Sequence, residues 1–330
     1  MPGYPAAISH WIPVVFLAFL AILPSELVSQ QETRPIRIQT TLVNVPVMVT
    51  DSCGGSVLGL RAEDFSLYDD DVRQPLAFFA AAAEPIRIAL LLDTSKSTAS
   101  VLDRIRKAAA GFLDQLRPQD QAMVVSFDSE VHVLCRFGSE VGELKRAIRG
   151  AEVGAYVGTK MRDAVVLAAD RYLRASQGRK AIILLTDGQD YGSSASPDEM
   201  IRAALNSGIV VYPVFYAVDR RELIKKLFGV TLSKNAVGAA EWEKDEQEAA
   251  ALLRRISEES AGAFFRSDMT DLKQTFVRVA EELRHQYLLA FYPDPVRIDG
   301  TPHALRVDMS RPDLVVRARR SYHAAAGVSK

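Results

Sequence analysis

Asp93, Ser95 and Ser97 stand at alternate positions directly after the apolar run Ile88-Ala-Leu-Leu-Leu92. A carboxylate and two hydroxyls spaced in this way, just past a strand end, can all turn towards one point. Three hard oxygens around one point suit Mg²⁺ or Mn²⁺, which prefer oxygen ligands in an octahedron. Ca²⁺ takes the same donors in a looser shell. The pentapeptide also suits a polar turn in which Asp93 or Ser95 caps the next helix, so it settles nothing alone. Two later segments add to it. Gly158-Thr159-Lys160-Met161 is a glycine turn whose hydroxyl residue opens a helical stretch to about Ser176, and Ala181-Ile-Ile-Leu-Leu-Thr-Asp187-Gly188 is a second apolar strand ending in Asp-Gly.

These residues need a scaffold that brings distant strand ends together. An open α/β sheet does so, because its ligands sit beyond the carboxyl ends of the strands where strand order reverses. Asp93 and Asp187 both lie at such ends, and Thr159 lies on a loop that can meet them. The order Asp-x-Ser-x-Ser, Gly-Thr, strand-Asp-Gly resembles the metal-ion-dependent adhesion site of von Willebrand factor type A domains. The resemblance implies metal ligation by Asp93, Ser95, Ser97, Thr159 and Asp187.

The likeness extends over residues 36–323 to the acidobacterial VWFA-related domain family. It is carried by Val43-Asn-Val-Pro-Val47, Asp64-Phe65-x-Leu67-Tyr68, Leu185-Thr-Asp-Gly-Gln-Asp190 and Gln286-Tyr-Leu-Leu-Ala-Phe-Tyr292. Lys96 departs from that pattern, standing where a small residue is usual, and Asp70-Asp71 replaces an acidic-Gly turn. A lysine beside a dication weakens the site unless its stem swings the ammonium outward.

The surrounding grammar is α/β. Strands are expected at 86–92, 121–127, 130–137, 180–186 and 209–217. Helices are expected near 100–117, 140–149, from Thr159 to about 176, at 197–206, 247–260 and 270–284, with a short strand at 263–266. Such alternation means a doubly wound, mainly parallel sheet covered on both faces. Period-two apolar patterns flank it. Val43, Val45, Val47 and Val49 alternate on one side, and Tyr287–Tyr292, Leu305/Val307/Met309 and 314–319 follow on the other. Pro46 places its strand at an edge or a bulge. The two ends are expected to pair as one small discontinuous β-sandwich into which the α/β unit is inserted. The expected division runs from a targeting segment at 1–29 to the amino-terminal strands of the sandwich at 30–84. A von Willebrand factor A-like unit follows at 85–284, and 285–330 supplies the carboxyl-terminal strands of the sandwich.

At 330 residues, with 48% hydrophobic and 25% charged residues, the chain is long enough for two units with a real core. A net charge of −1 gives no basic surface for nucleic acid. Arg311, Arg317, Arg319 and Arg320 alternate with apolar residues, as on the outer face of a strand. Trp11–Leu23 is thirteen residues without a charge, the length of a signal-peptide core and short of the ~20 needed to span a bilayer. Only His10 precedes it in place of a basic region, and an uncleaved anchor is the other reading. The expected location is periplasm, cell envelope or exterior, with no membrane span in the mature chain. Cys53 and Cys135 are too few for a disulfide framework, and the histidines at 10, 132, 285, 303 and 323 are scattered.

Two carboxylates and three hydroxyls on a metal serve adhesion or chemistry. Hydrolysis needs a base near a metal-bound water or a second metal. Asp163 and Asp190 are the nearest spare carboxylates. Asp163, one helical turn after Thr159, suits bracing of the loop, and Asp190 suits a cap on the helix that follows. There is no Gly-rich phosphate loop. The favoured function is therefore a non-enzymatic, metal-dependent protein-binding module whose ion completes its shell with a partner's Asp or Glu. A structural envelope protein with a vestigial site and a divalent-metal hydrolase are the alternatives. Residues 218–248 interrupt the α/β rhythm beyond a strand end. They read equally as a solvated insertion or as a specificity loop offering Leu223, Leu227 and Phe228 to the partner.

Overall fold

The computed structural model describes residues 42–218, 225, 229, 231, 239–268, 271–297 and 299–324. The targeting segment and the partner contacts expected of Leu223, Leu227 and Phe228 lie outside the described residues. The central sheet has six strands: β5 (Ile86–Asp93), β6 (Gln121–Phe127), β7 (Val131–Gly138), β8 (Arg179–Thr186), β9 (Val210–Tyr216) and β10 (Phe265–Ser267). Their order is β10-β9-β8-β5-β6-β7, parallel throughout except for β7, which runs antiparallel to β6. The chain begins at β5, builds outward to β7, then returns to β5's other edge with β8. Strand order reverses there, between β5 and β8.

Apolar residues on both faces of each inner strand meet two helix layers. On one face Ile88, Leu90 and Leu92 pack with α1 (Leu102–Leu113), α2 (Val141–Arg149) and α6 (Leu272–His285), where Ile105, Phe112, Ile148 and Phe276 are buried. On the other, Ala89 and Leu91 pack with α3 (Met161–Val166, continuing in π geometry through Leu173), α4 (Pro197–Asn206) and α5 (Ala239–Glu259). Helix α4 starts where Ser196-Pro197 predicts, with Glu199 N–H donating to Ser196 Oγ at 3.3 Å and Ser196 N–H donating to Glu199 Oε2 at 2.7 Å. Helix α5 begins eight residues earlier than its apolar period indicates. Its charged opening, Glu241 to Glu248, hides the start, and an ion pair from Lys244 to Glu248 at 3.6 Å supports that turn.

Both ends of the described chain form two four-stranded sheets around one shared core. The first has the order β13-β1-β11-β4, from β1 (Val43–Thr50), β4 (Phe78–Ala80), β11 (Tyr287–Phe291) and β13 (Val315–Ala318). The second is β14-β12-β2-β3, from β2 (Phe65–Asp69), β3 (Val72–Gln74), β12 (Pro302–Met309) and β14 (Ser321–His323). Val43, Val45, Val47 and Val49 point into this core with Leu67, Leu289, Phe291 and Tyr322. The fold is thus a doubly wound α/β sheet inserted in a discontinuous β-sandwich.

Two expectations are corrected. The Pro46 strand is central, flanked by β11 and β13. Pairing with β13 begins at Val47, so Pro46 lies in the half of β1 where only the β11 side carries a ladder and a missing N–H costs least. Arg319 does not face outward. It is 3% exposed, and its guanidinium donates to Asn44 O at 3.0 Å and Leu205 O at 2.8 Å, joining β1 to the carboxyl end of α4. Arg179 does the same at the other junction, donating to Ala82 O at 2.8 Å, to Glu84 O at 2.6 Å and to Leu283 O.

The Asp70-Asp71 turn has both residues left-handed, at φ 46° and 64°. Asp70 offsets that cost by accepting from Ala304 N–H at 2.9 Å and from His303 Nδ1 at 2.7 Å. His303 Nε2 also lies 3.1 Å from Asp299 Oδ1. Burial works against its imidazolium, but the bonds to Asp70 and Asp299 outweigh it and raise its pKa above the ordinary value. Among the described residues, Asp69, Arg297 and Tyr322 are the other charged or titratable groups around this cluster.

Since the α/β unit carries its own two-sided core, a chain cut to residues 85–284 is expected to unfold in one cooperative urea transition, and residues 30–84 alone to show none. A cooperative transition from the short piece would overturn this division. A raised folded pKa for His303 means stabilisation that is full below its unfolded value near ~6.5 and lost as pH rises through the folded one. The urea midpoint should fall over that rise, and His303→Ala should flatten the fall.

Candidate metal centre

Strand β5 delivers Asp93 to the carboxyl end of the sheet and β8 delivers Asp187, one residue past Thr186, on the adjacent strand. Asp93 is wholly buried, and Ser95, Thr159 and Asp187 are nearly so. Asp93 Oδ1 accepts from Ser95 N–H at 3.0 Å and from Ser95 Oγ at 2.5 Å, and Ser95 Oγ lies 2.9 Å from Ser97 Oγ. One carboxylate oxygen therefore holds the Ser95 hydroxyl, which in turn meets that of Ser97. The other, Oδ2, accepts from Thr186 Oγ1 at 2.9 Å, which ties β5's end to β8's. Thr186 Oγ1 in turn accepts from Gly188 N–H at 2.9 Å, and Asp187 Oδ1 accepts from Gln189 N–H at 3.1 Å.

Thr159 is held by its backbone to the loop that follows Asp187. Its N–H donates to Tyr191 O at 2.8 Å and its carbonyl accepts from Tyr191 N–H at 2.9 Å, an isolated bridge between the loop before α3 and the loop after β8. Asp128 anchors the same loop from β6: its carbonyl accepts from Lys160 N–H at 2.7 Å, and its carboxylate lies 3.5 Å from Thr94 Oγ1. The loop can lie this close because a Cβ on Gly154 would meet Asp128 Cβ at 2.5 Å and one on Gly158 would meet Ser129 Cα at 2.8 Å. Lys96, between Ser95 and Ser97, is exposed.

The spare carboxylates are structural. Asp163 accepts from Ser194 and Ala195 N–H at 3.0 and 2.8 Å, bracing the loop before α4. Asp190 does not cap the helix that follows. It accepts from Arg162 N–H at 2.8 Å, within the first turn of the preceding α3, and pairs with the Arg162 guanidinium at 2.9 Å. The positioning residues Thr94, Asp128 and Thr186 escape sequence reading: Thr186 ends an apolar strand and looks like part of it, and Thr94 and Asp128 follow strand ends as ordinary polar turn residues. The Thr directly before Asp187-Gly188 is the one available signal.

Electrostatics fit the donor set to a cation. Burial, then the neighbouring Asp187 charge, push Asp93's pKa far above the carboxylate range, and the hydrogen bonds from Ser95 and Thr186 only partly oppose this. A dication answers both carboxylates at once, and every donor is a hard oxygen. Asp69, Asp70 and His303 also bring one ligand-type atom each within 4.8 Å of one another. That cluster belongs to the sandwich, and there Arg297 sits 3.9 and 3.6 Å from the two carboxylates and supplies the positive charge itself.

Three large side chains on the loops next to Thr159 and Asp187 are exposed. Tyr156 and Val157, just before Gly158, are 75% and 74% exposed, and Tyr191, paired to Thr159, is 71% exposed. Among the described residues no helix is long and apolar enough to cross a membrane.

Comparison with solved structures finds similar folds. A von Willebrand factor type A protein from Catenulispora acidiphila is 13% identical, covering 89% of this chain and 76% of its own at a TM-score of 0.45. The vWF domain of the type V pili tip protein Mfa5 from Porphyromonas gingivalis is also 13% identical, covering 60% and 94% at 0.44. Proximal thread matrix protein 1 of the mussel byssus, with its adhesion-site motif occupied by zinc, is 18% identical, covering 64% and 48% at 0.48. No curated protein matches the chain. The sequence model of the von Willebrand factor type A domain matches residues 88–278. It spans more than half of the sequence and runs from β5 into α6, so the chain belongs to the von Willebrand factor type A domain family.

Proposed function

We propose that this chain is a divalent-metal-dependent, non-enzymatic protein-binding module of an exported bacterial protein. Its family often mediates adhesion between proteins. The observation that carries the reading is the buried Asp93 carboxylate beside Asp187, bonded to the Ser95 hydroxyl that in turn meets Ser97, with exposed Tyr156 and Tyr191 on the neighbouring loops. Asp93, Ser95, Ser97, Thr159 and Asp187 would hold Mg²⁺ or Mn²⁺, which supplies an electrophilic position for a partner's Asp or Glu. Without the ion, two buried carboxylates face an incoming carboxylate and repel it. Tyr156, Val157 and Tyr191 supply the large apolar contacts that carry interface energy around such a polar centre.

A role in hydrolysis lacks support because Asp163 and Asp190 are spent on backbone and guanidinium contacts, which leaves neither poised as a base. Export is supported by the uncharged Trp11–Leu23 run of the sequence.

Calorimetric titration of the full chain with Mg²⁺ or Mn²⁺ should show one site, lost in Asp93→Ala. Undiminished affinity in that variant would sink the ligand set. A partner captured from bacterial envelope extract should be released by EDTA and should fail to bind Asp93→Ala. Tyr191→Ala should weaken that partner by roughly tenfold or more while leaving metal affinity unchanged, because the Thr159 bridge uses only the backbone of residue 191. A partner indifferent to EDTA would move the binding face elsewhere, most plainly to the sandwich.

A further inference from the structure

A buried cation without a carboxylate partner lies away from the candidate metal centre, where the sandwich meets α4. A cavity of about 350 Å³ opens there, lined by Arg174, Arg297, Arg319, His323, Asn206 and Val296 among others, and by no Asp or Glu. Its volume falls in the range of small-molecule sites. Three of these side chains carry a buried nitrogen without a hydrogen-bond partner: Arg297 Nε, Arg319 Nη2 and His323 Nδ1. Buried donors are nearly always paired, so three unpaired ones around one cavity need a reason.

Arg319 is the central case. Its Nε donates to Ser321 O at 2.9 Å and its Nη1 to Asn44 and Leu205 carbonyls. Those bonds satisfy geometry without cancelling charge. No carboxylate pairs with Arg319 among the described residues, and burial depresses its pKa to about 10. The other two arginines have partners: Arg297 with Asp69 and Asp70, and Arg174 with Asp170 at 3.4 Å. The cavity therefore holds one whole uncompensated cation with further donors around it. Val43, Pro293 and Val296 add apolar wall.

We propose that this cavity binds a small organic oxyanion, with Arg319, Arg297 and His323 donating to its oxygens and its apolar body against Val296 and Pro293. Such a ligand accepts hydrogen bonds only, carries the missing negative charge, and matches a guanidinium fork. A cation or a neutral donor meets none of these needs.

The test is calorimetric titration of the full chain with phenylacetate and with phenyl phosphate, in EDTA so that the metal centre cannot take either anion. The two probes separate carboxylate from phosphate recognition. At least one should bind with a Kd below about 1 mM, and at least tenfold more weakly to Arg319→Lys, which keeps the charge and loses the fork. Because Arg319 also joins the sandwich to α4, Arg174→Glu is the second variant. Its side chain is 60% exposed, so the fold should survive, and it reverses charge at the cavity wall. It should weaken binding at least tenfold. Absence of binding by both probes, or wild-type affinity in either folded variant, overturns the proposal.

Discussion

Two carboxylates held at neighbouring strand ends set the terms for everything around them. Asp93 and Asp187 end up side by side because β5 and β8 are hydrogen-bonded neighbours at the point of strand reversal. A folded protein can lessen such repulsion by giving the oxygens donors, and here Ser95 and Thr186 do so for the two oxygens of Asp93. Hydrogen bonds lower the cost without removing the like charge. The loops at 94–98, 154–160 and 187–195 surround that remaining unfavourable energy, which a bound cation would relieve.

Much of this was legible in the residues. Strands β5 and β8 announce themselves because burial on both faces leaves no polar position to interrupt the run. Helix α4 is legible because Ser196-Pro197 states where it starts. The site's carboxylates are legible because a buried-type strand that ends in Asp places a charge where a sheet presents its ligands. What stayed hidden has a common cause: its meaning depends on tertiary neighbours. Thr186 reads as strand until Asp93 Oδ2 is found across from it. Arg319 reads as an exposed alternation until Asn44 and Leu205 carbonyls are found around it. Pro46 reads as an edge because the sequence does not show that β13 pairs with only the second half of β1. His303 reads as scattered because its partners, Asp70 and Asp299, are joined to it by a turn and a loop rather than by a motif.

The two buried arginines give the junctions a polar character. Arg179 and Arg319 each collect backbone carbonyls from both sides of a seam, including those near the carboxyl ends of α6 and α4, where the helix dipole favours a cation. An apolar seam would tolerate sliding. A guanidinium fork fixes direction as well as distance, so the sandwich and the α/β unit keep one orientation.

The pairing of β4 and β11 has a consequence for how the chain finds this structure. Ala80 lies opposite Leu288, so the two cuts that frame the inserted unit are neighbours in space although about two hundred residues separate them. Closing so long a loop in a disordered chain carries an entropic cost that grows with the logarithm of its length, roughly 0.6 kcal/mol for every doubling. Once the inserted unit has folded, its ends already stand together, and the remaining strands meet as though joined by a short turn. The sandwich is thereby converted from a set of remote pairings into nearly local ones, and the speed with which it assembles becomes a property of the insert.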